Sequence, residues 1–156
     1  MDATDRQLLA LIQENCKMPY AELSSRVGVA VSTVNDRLKK LQTAGVIRGN
    51  VALVNPRAIG LDVCAFVLVL TDRPDNERVF IGRVLEIPEV QECHHITGEF
   101  SYLLKLRVRT TAHLEALLQE IKPLPGVLRT CSFVVLSSPK ETPAVPLYHS
   151  DLPAGE

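Results

Sequence analysis

Cys93, His94 and His95 stand next to one another, the one place in the chain where metal-ligating side-chain types cluster. A structural zinc ion asks for four ligands in a tetrahedral array. Along a strand, side chains alternate, so Cys93 and His95 would share a face while His94 points away. Two ligands do not close such a site, and the cluster reads as packing or interface residues. The four cysteines, Cys16, Cys64, Cys93 and Cys131, follow neither a disulfide nor a metal spacing. Three of them lie in apolar, strand-like runs, where a free thiol packs as a small hydrophobe. Gly-rich phosphate loops, nucleophile elbows and His-Glu-x-x-His pairs are all missing from the sequence. The expectation is therefore a protein with no catalytic residues, no metal and no cofactor.

Binding chemistry is better represented. Between residues 31 and 44, Val34, Leu38 and Leu41 recur at helical spacing, and the opposite side carries Ser32, Asp36, Lys39, Lys40 and Thr43, flanked by Thr33 and Asn35. A rod of that kind fits the major groove of a duplex. Ser, Thr and Asn can bond base edges or phosphates, and Lys39, Lys40 and Arg48 can neutralise phosphates and release counterions. The same pattern also suits a plain three-helix bundle with a solvated charged face.

The elements that would hold this rod are legible around it. A capping-box pattern, Thr4-x-x-Gln7, with Asp2 and Asp5 beside it, opens a first helix whose stripe is Leu8, Leu9 and Ile12. A second helix runs from about Tyr20 to Val27, with Leu23 and Val27 inward, and stops at Gly28. A third runs from Val31 to about Ala44, with Val31 continuing the apolar stripe, and Gly45 ends it. Residues 46–56 read as a short strand and a linker, with Pro56 and Gly60 marking a boundary.

The second half contains a repeat. Ile87-Pro88-Glu89-Val90 is echoed by Leu124-Pro125-Gly126-Val127, each after an amphipathic helix and before a strand. Helices are expected over about 76–86 and 112–122, the latter lined by Leu114, Leu117, Leu118 and Ile121. Strands are expected over about 63–70, 90–96, 102–109 and 127–136. The fold class is thus α+β: an N-terminal winged-type helix-turn-helix (residues 1–50), a linker strand (51–60), a ferredoxin-like βαββαβ domain (61–138) and a Pro-rich tail (139–156) holding four of the ten prolines. Residues 63–70 are apolar on both faces, Val63, Ala65, Val67 and Val69 on one, Cys64, Phe66, Leu68 and Leu70 on the other. Helices of the same chain cover one face, so a second copy is expected on the other.

The bulk numbers agree with a globular chain. It has 156 residues, 46% hydrophobic and 22% charged, and a net charge of −1. No apolar run reaches the roughly 20 residues that a membrane helix needs. The acidic, polar N-terminus does not suit a secretion signal, so a cytoplasmic protein without membrane contact is expected. Charge is unevenly spread: residues 1–50 hold seven Lys/Arg against five Asp/Glu, and the remainder ten against thirteen. Any nucleic-acid binding must then come from placement rather than net charge.

Taken in order, several segments resemble the leucine-responsive/AsnC, or feast/famine, family of regulators. They are Asp5-Arg6-Gln7-Leu8-Leu9, Tyr20-Ala21-Glu22-Leu23, Val27-Gly28-Val29, Leu38-Lys39-Lys40-Leu41 and Gly45-Val46-Ile47-Arg48-Gly49. In the second half they are Thr97-Gly98-Glu99-Phe100-Ser101-Tyr102-Leu103-Leu104-Lys105 and Leu124-Pro125-Gly126-Val127. The resemblance spans about Asp2 to Lys140. It implies a transcription regulator that binds double-stranded DNA as a homodimer and builds higher homo-oligomers. It also implies an amino acid or related metabolite bound between subunits, which shifts the assembly equilibrium. The turn Thr97, Gly98, Glu99, Phe100 and Ser101 matches the family's effector loop. Three positions depart from the family pattern. Asp36 stands where relatives carry a basic residue, Ala30 where they place a Ser cap, and Ser101 where an acidic residue follows the aromatic. Siroheme-decarboxylase-like enzymes share this two-part architecture, and a sensor that has lost DNA binding would share it too. Bound haem would mark the first, and failure to shift any duplex the second.

Overall fold

The computed structural model describes residues 1–72 and 74–148. Two compact units divide the chain. Residues 1–53, joined by the described part of the chain from Glu141 onward, form one; Val54–Lys140 form the other.

The first unit is built from α1 (Ala3–Glu14), α2 (Tyr20–Val27) and α3 (Val31–Thr43). Leu8, Met18, Leu23, Val34 and Leu38 make its buried core, with Leu11, Ile12, Val27, Val29 and Ile47 packed around them. Burying one such leucine stabilises the unit by about 1.5–3 kcal/mol. Val31, expected to continue the inward stripe, is exposed in the first turn of α3. The capping box differs from expectation as well. Asp2, not Thr4, is the N-cap: its carboxylate accepts from the Asp5 amide at 2.9 Å, and the Asp5 carboxylate accepts from the Asp2 amide at 2.9 Å. Both residues also meet a cation from α3, described below, which favours the earlier start.

The strand expected in residues 46–56 does not form. Residues 49–55 carry no regular structure, and a 3₁₀ turn follows at Arg57–Ile59. Val51 and Leu53 are 76% and 75% exposed. A strand needs a ladder partner for its amides, and among the described residues none pairs with this segment.

The second unit is a four-stranded antiparallel sheet in the order β2-β3-β1-β4. Its elements are β1 (Val63–Thr71), α4 (Pro74–Leu85), β2 (Val90–His95), β3 (Tyr102–Val108), α5 (Thr111–Ile121) and β4 (Val127–Val134). Each lies within two residues of its expected ends. Ala65, Val67 and Val69 of β1 and Leu104, Leu106 and Val108 of β3 share the core with Phe80 and Val84 of α4 and Leu114, Leu117 and Ile121 of α5. The repeated Pro segments are matching turns: the Val90 amide donates to Ile87 O and the Val127 amide to Leu124 O, both at 3.1 Å. They differ most where Glu89 corresponds to Gly126. Gly126 has φ +87°, and a Cβ there would lie 2.5 Å from Asn76 Cβ, so α4 packs where only glycine leaves room. On the sheet's far face Phe66, Leu68, Leu70 and Leu103 stay partly exposed, and Phe133 is 54% exposed. Among the described residues no helix is long and apolar enough to cross a membrane.

Candidate nucleic-acid interface and effector loop

α2 ends at Gly28, whose φ of 76° turns the chain sharply. The Ser24 hydroxyl donates to Val29 O at 2.5 Å, and the Gly28 amide to Ser24 O at 2.9 Å, so the three-residue turn is fixed from α2. α3 starts without a side-chain cap, because Ala30 offers no acceptor. Val34, Leu38 and Leu41 anchor it inward. Ser32, Asn35, Asp36, Lys39, Lys40 and Thr43 are exposed, and Thr33 is half-buried. These sequence-picked residues therefore share the free side of one helix. The Thr43 hydroxyl is engaged locally, donating to Lys39 O at 2.9 Å. Past Gly45 (φ 72°), the Val46 and Ile47 amides both bond Leu41 O, which brings the exposed Arg48 back to the end of α3.

Arg37 was not apparent as a functional residue in the sequence. It lies on α3 but turns toward α1, donating to Asp2 Oδ2 at 2.5 Å and Asp5 Oδ1 at 2.8 Å. The hydrogen bond from Arg37 holds the Asp2 carboxyl below the usual carboxylate range, and both aspartates raise the Arg37 guanidinium further. The triad braces the presented helix against α1. No local spacing signals it, since the partners are more than thirty residues apart.

In the second unit, the loop from Thr97 to Ser101 is closed at its base. The Ile96 amide donates to Ser101 O and the Ser101 amide to Val69 O, each at 2.9 Å. The Ser101 hydroxyl accepts from the Thr71 amide at 3.2 Å, and the Thr71 hydroxyl donates to Glu77 at 2.8 Å. Ser101 is thus a tether of the loop to β1. Thr97, Gly98 and Glu99 are exposed at its tip, and Phe100 is half-buried. Arg129 of β4 reaches this tip: it pairs with the Glu99 carboxylate, and its guanidinium lies 4.8 Å over the Phe100 ring. The loop therefore presents one carboxylate, one guanidinium and an aromatic plate together. Arg129 has no sequence signal either; only the pairing of β4 with β1, with Arg129 opposite Leu70, brings it there.

Cys93 is half-buried against the core, and burial pushes its thiol up. His95 shares its face and stacks on Tyr102 at 5.0 Å. His94 faces the other way and meets Glu92 at 3.2 Å, while Lys105 meets the same carboxylate at 3.0 Å. Hydrogen bonding to His94 and Lys105 lowers the Glu92 carboxyl. Among the described residues no three His, Cys, Asp or Glu side chains converge as a metal site.

The family model of the Lrp/AsnC ligand binding domain matches residues 64–145, and that of a winged helix-turn-helix DNA-binding domain matches residues 1–48. The HTH-type transcriptional regulator FL11 of Pyrococcus abyssi is 33% identical over 94% of this chain and 97% of its own. The leucine-responsive regulatory protein of Salmonella typhimurium is 35% identical over 91% of this chain and 88% of its own. The crystal structure of the transcriptional regulator NMB0573 of Neisseria meningitidis, a complex with L-Met, superposes with a TM-score of 0.89 at 34% identity. It covers 94% of this chain and 96% of that one. Both units are matched in chain order and the likeness runs almost from end to end, so the chain belongs to the Lrp/AsnC family.

Proposed function

We propose that the protein is a sequence-specific DNA-binding transcription regulator whose assembly is modulated by a small-molecule effector, an amino acid or a related metabolite. The observation that carries this reading is the free face of α3. Its inward side is spent on the core, and its outward side offers hydroxyl, amide and ammonium groups to a groove. Ser32, Thr33 and Asn35 read base edges; Lys39, Lys40 and Arg48 hold phosphates.

For the effector, the tip of the Thr97–Ser101 loop offers complementary charges: Glu99 for an ammonium group and Arg129 for a carboxylate, with Phe100 as an apolar plate. The L-Met complex of a relative supports the same ligand class. The partly exposed apolar face of β1 and its neighbours supports a homodimer, since an apolar sheet face is normally covered, and membership of the family supports higher homo-oligomers.

Gel-shift titration of the wild-type chain against the promoter region beside its own gene tests the DNA reading. Saturable, sequence-dependent binding is expected, and no shift at low salt would overturn it. A melting-point screen over the amino acids tests the effector, because a ligand of the folded form raises the transition. An unchanged melting point across the whole set would remove the amino acid assignment.

A further inference from the structure

We infer that Asp36 is a specificity-determining residue that commits the DNA target to a cytosine at one position of each half-site. The inference rests on the DNA-binding reading of α3 and goes further by naming the base.

In the first unit most of the early carboxylates have cationic partners. Asp2 and Asp5 hold Arg37, and Glu22 holds Arg26 at 2.6 Å. Asp36 is different: it is exposed near the middle of α3 and takes no hydrogen bond or ion pair among the described residues. Its neighbour Arg37 is held by Asp2 and Asp5 and forms no ion pair with it among the described residues. Lys39 and Lys40 follow one turn later but form no ion pair with it among the described residues. Two surface hollows of about 440 and 560 Å³ run along α3, and Asp36 and Lys40 line both. Asp36 therefore borders both hollows, and its side chain is exposed.

A carboxylate brought to a duplex is repelled by phosphates, and at close range salt screens that repulsion only partly. At the base edge itself, a hydrogen-bond donor offsets it directly. In the major groove guanine shows N7 and O6 and thymine shows O4, all acceptors that add to the repulsion. Adenine shows a donor at N6 beside the acceptor N7. Cytosine shows the N4 donor with no acceptor of its own beside it, so it is the base that a carboxylate meets without a second penalty. Asp36 then works as much by exclusion as by attraction: it weakens binding to random sequence and to sites with another base there. Lys39 and Lys40, on the same face, supply the phosphate attraction that keeps the helix docked.

Selection of binding sites from a randomised duplex pool, run with the full-length wild type, Asp36→Ala and Asp36→Asn at one salt concentration, tests this. Wild type is expected to enrich cytosine at one position per half-site by at least about fivefold. Asp36→Ala should lose that preference and bind random duplex more tightly. Asp36→Asn should move the preference toward adenine, whose N6 and N7 suit an amide. Melting curves of the three proteins should coincide, because the side chain is exposed. The assignment is overturned if wild type shows no cytosine preference, if Asp36→Ala keeps it, or if Asp36→Ala weakens binding to every sequence alike. Binding by all three without cytosine selection sinks this inference alone; no duplex binding by any of them sinks the regulator reading as well.

Discussion

Arg37 Nη1 donates to Asp5 Oδ1 at 2.8 Å, linking α3 to the first turn of α1 across 32 positions of sequence. The same nitrogen also reaches Asp2 Oδ2, so one guanidinium holds both carboxylates of the capping box. The arrangement ties α3 to the first turn of α1 and leaves the exposed side chains of α3 unpaired with it.

The bridge has a pH signature. Asp2 has a folded pKa below its unfolded one, because Arg37 stabilises the charged form. Its contribution is complete above the ordinary aspartate value of about 3.9 and is lost as pH falls through the lower folded value. Arg37→Met should therefore reduce the fall in melting temperature between about pH 5 and pH 2 compared with wild type. An identical acid profile would remove the bridge from the stabilising contacts.

Lys39 and Lys40 project from the outer face of α3. Replacing either by Ala should weaken binding to every duplex and flatten the plot of log affinity against log salt by about one unit each. Unchanged slopes for both would place the phosphate contacts elsewhere.

Gly126 and Glu89 occupy equivalent turns with unequal demands. Gly126→Ala must adopt φ near +87° and push against Asn76, so a loss above about 2 kcal/mol is expected in thermal or urea unfolding. Glu89→Ala removes a carboxylate that lies 3.4 Å from His113 Nε2 and should cost no more than about 1 kcal/mol. Equal effects at the two sites would contradict the close approach of α4.

Ser101 supplies the acceptor for the amide of Thr71, a residue only 7% exposed. Ser101→Ala leaves that amide without it, at a cost of about 1–3 kcal/mol. Hydrogen exchange at Thr71 should accelerate in the variant. Protection equal to wild type would show that the loop has another tether.

The tail is bound by a side-chain amide. Gln13 Nε2 donates to Val145 O at 3.2 Å, and the Val145 amide donates to Gln13 Oε1 at 2.8 Å. Gln13→Ala should expose residues 141–148 to proteolysis and speed exchange at Val145, while the melting point moves little because Gln13 is a surface residue. A tail as resistant as wild type would show that other contacts hold it.

Much of the architecture is local and therefore legible in the chain. The spacing of Leu8, Leu23, Val34 and Leu38 defines three helices with one apolar side each, and Gly28 and Gly45 stop two of them because their backbones turn left-handed. The two Pro turns and the continuous apolar run over residues 63–70 mark the repeated strand and helix order of the second unit. The outward set on α3 follows from the same periodicity. Where the local signals compete, they mislead. Thr4 and Asp2 are both good caps, and Asp2 serves because Arg37 and Asp5 meet it there. Residues 51–54 form a short apolar run that suits a strand, but they have no ladder partner among the described residues.

Periodicity and capping act within a few residues, so most elements, most of their inward positions and the residues offered by α3 can be read along the chain. Arg37 against Asp5, Ser101 under Thr71, Arg129 on Glu99 and Val145 on Gln13 were decided only by tertiary structure. These groups are 30 to 132 positions apart. Such short-range contacts form only where folding returns the chain to itself, and no local spacing encodes that return.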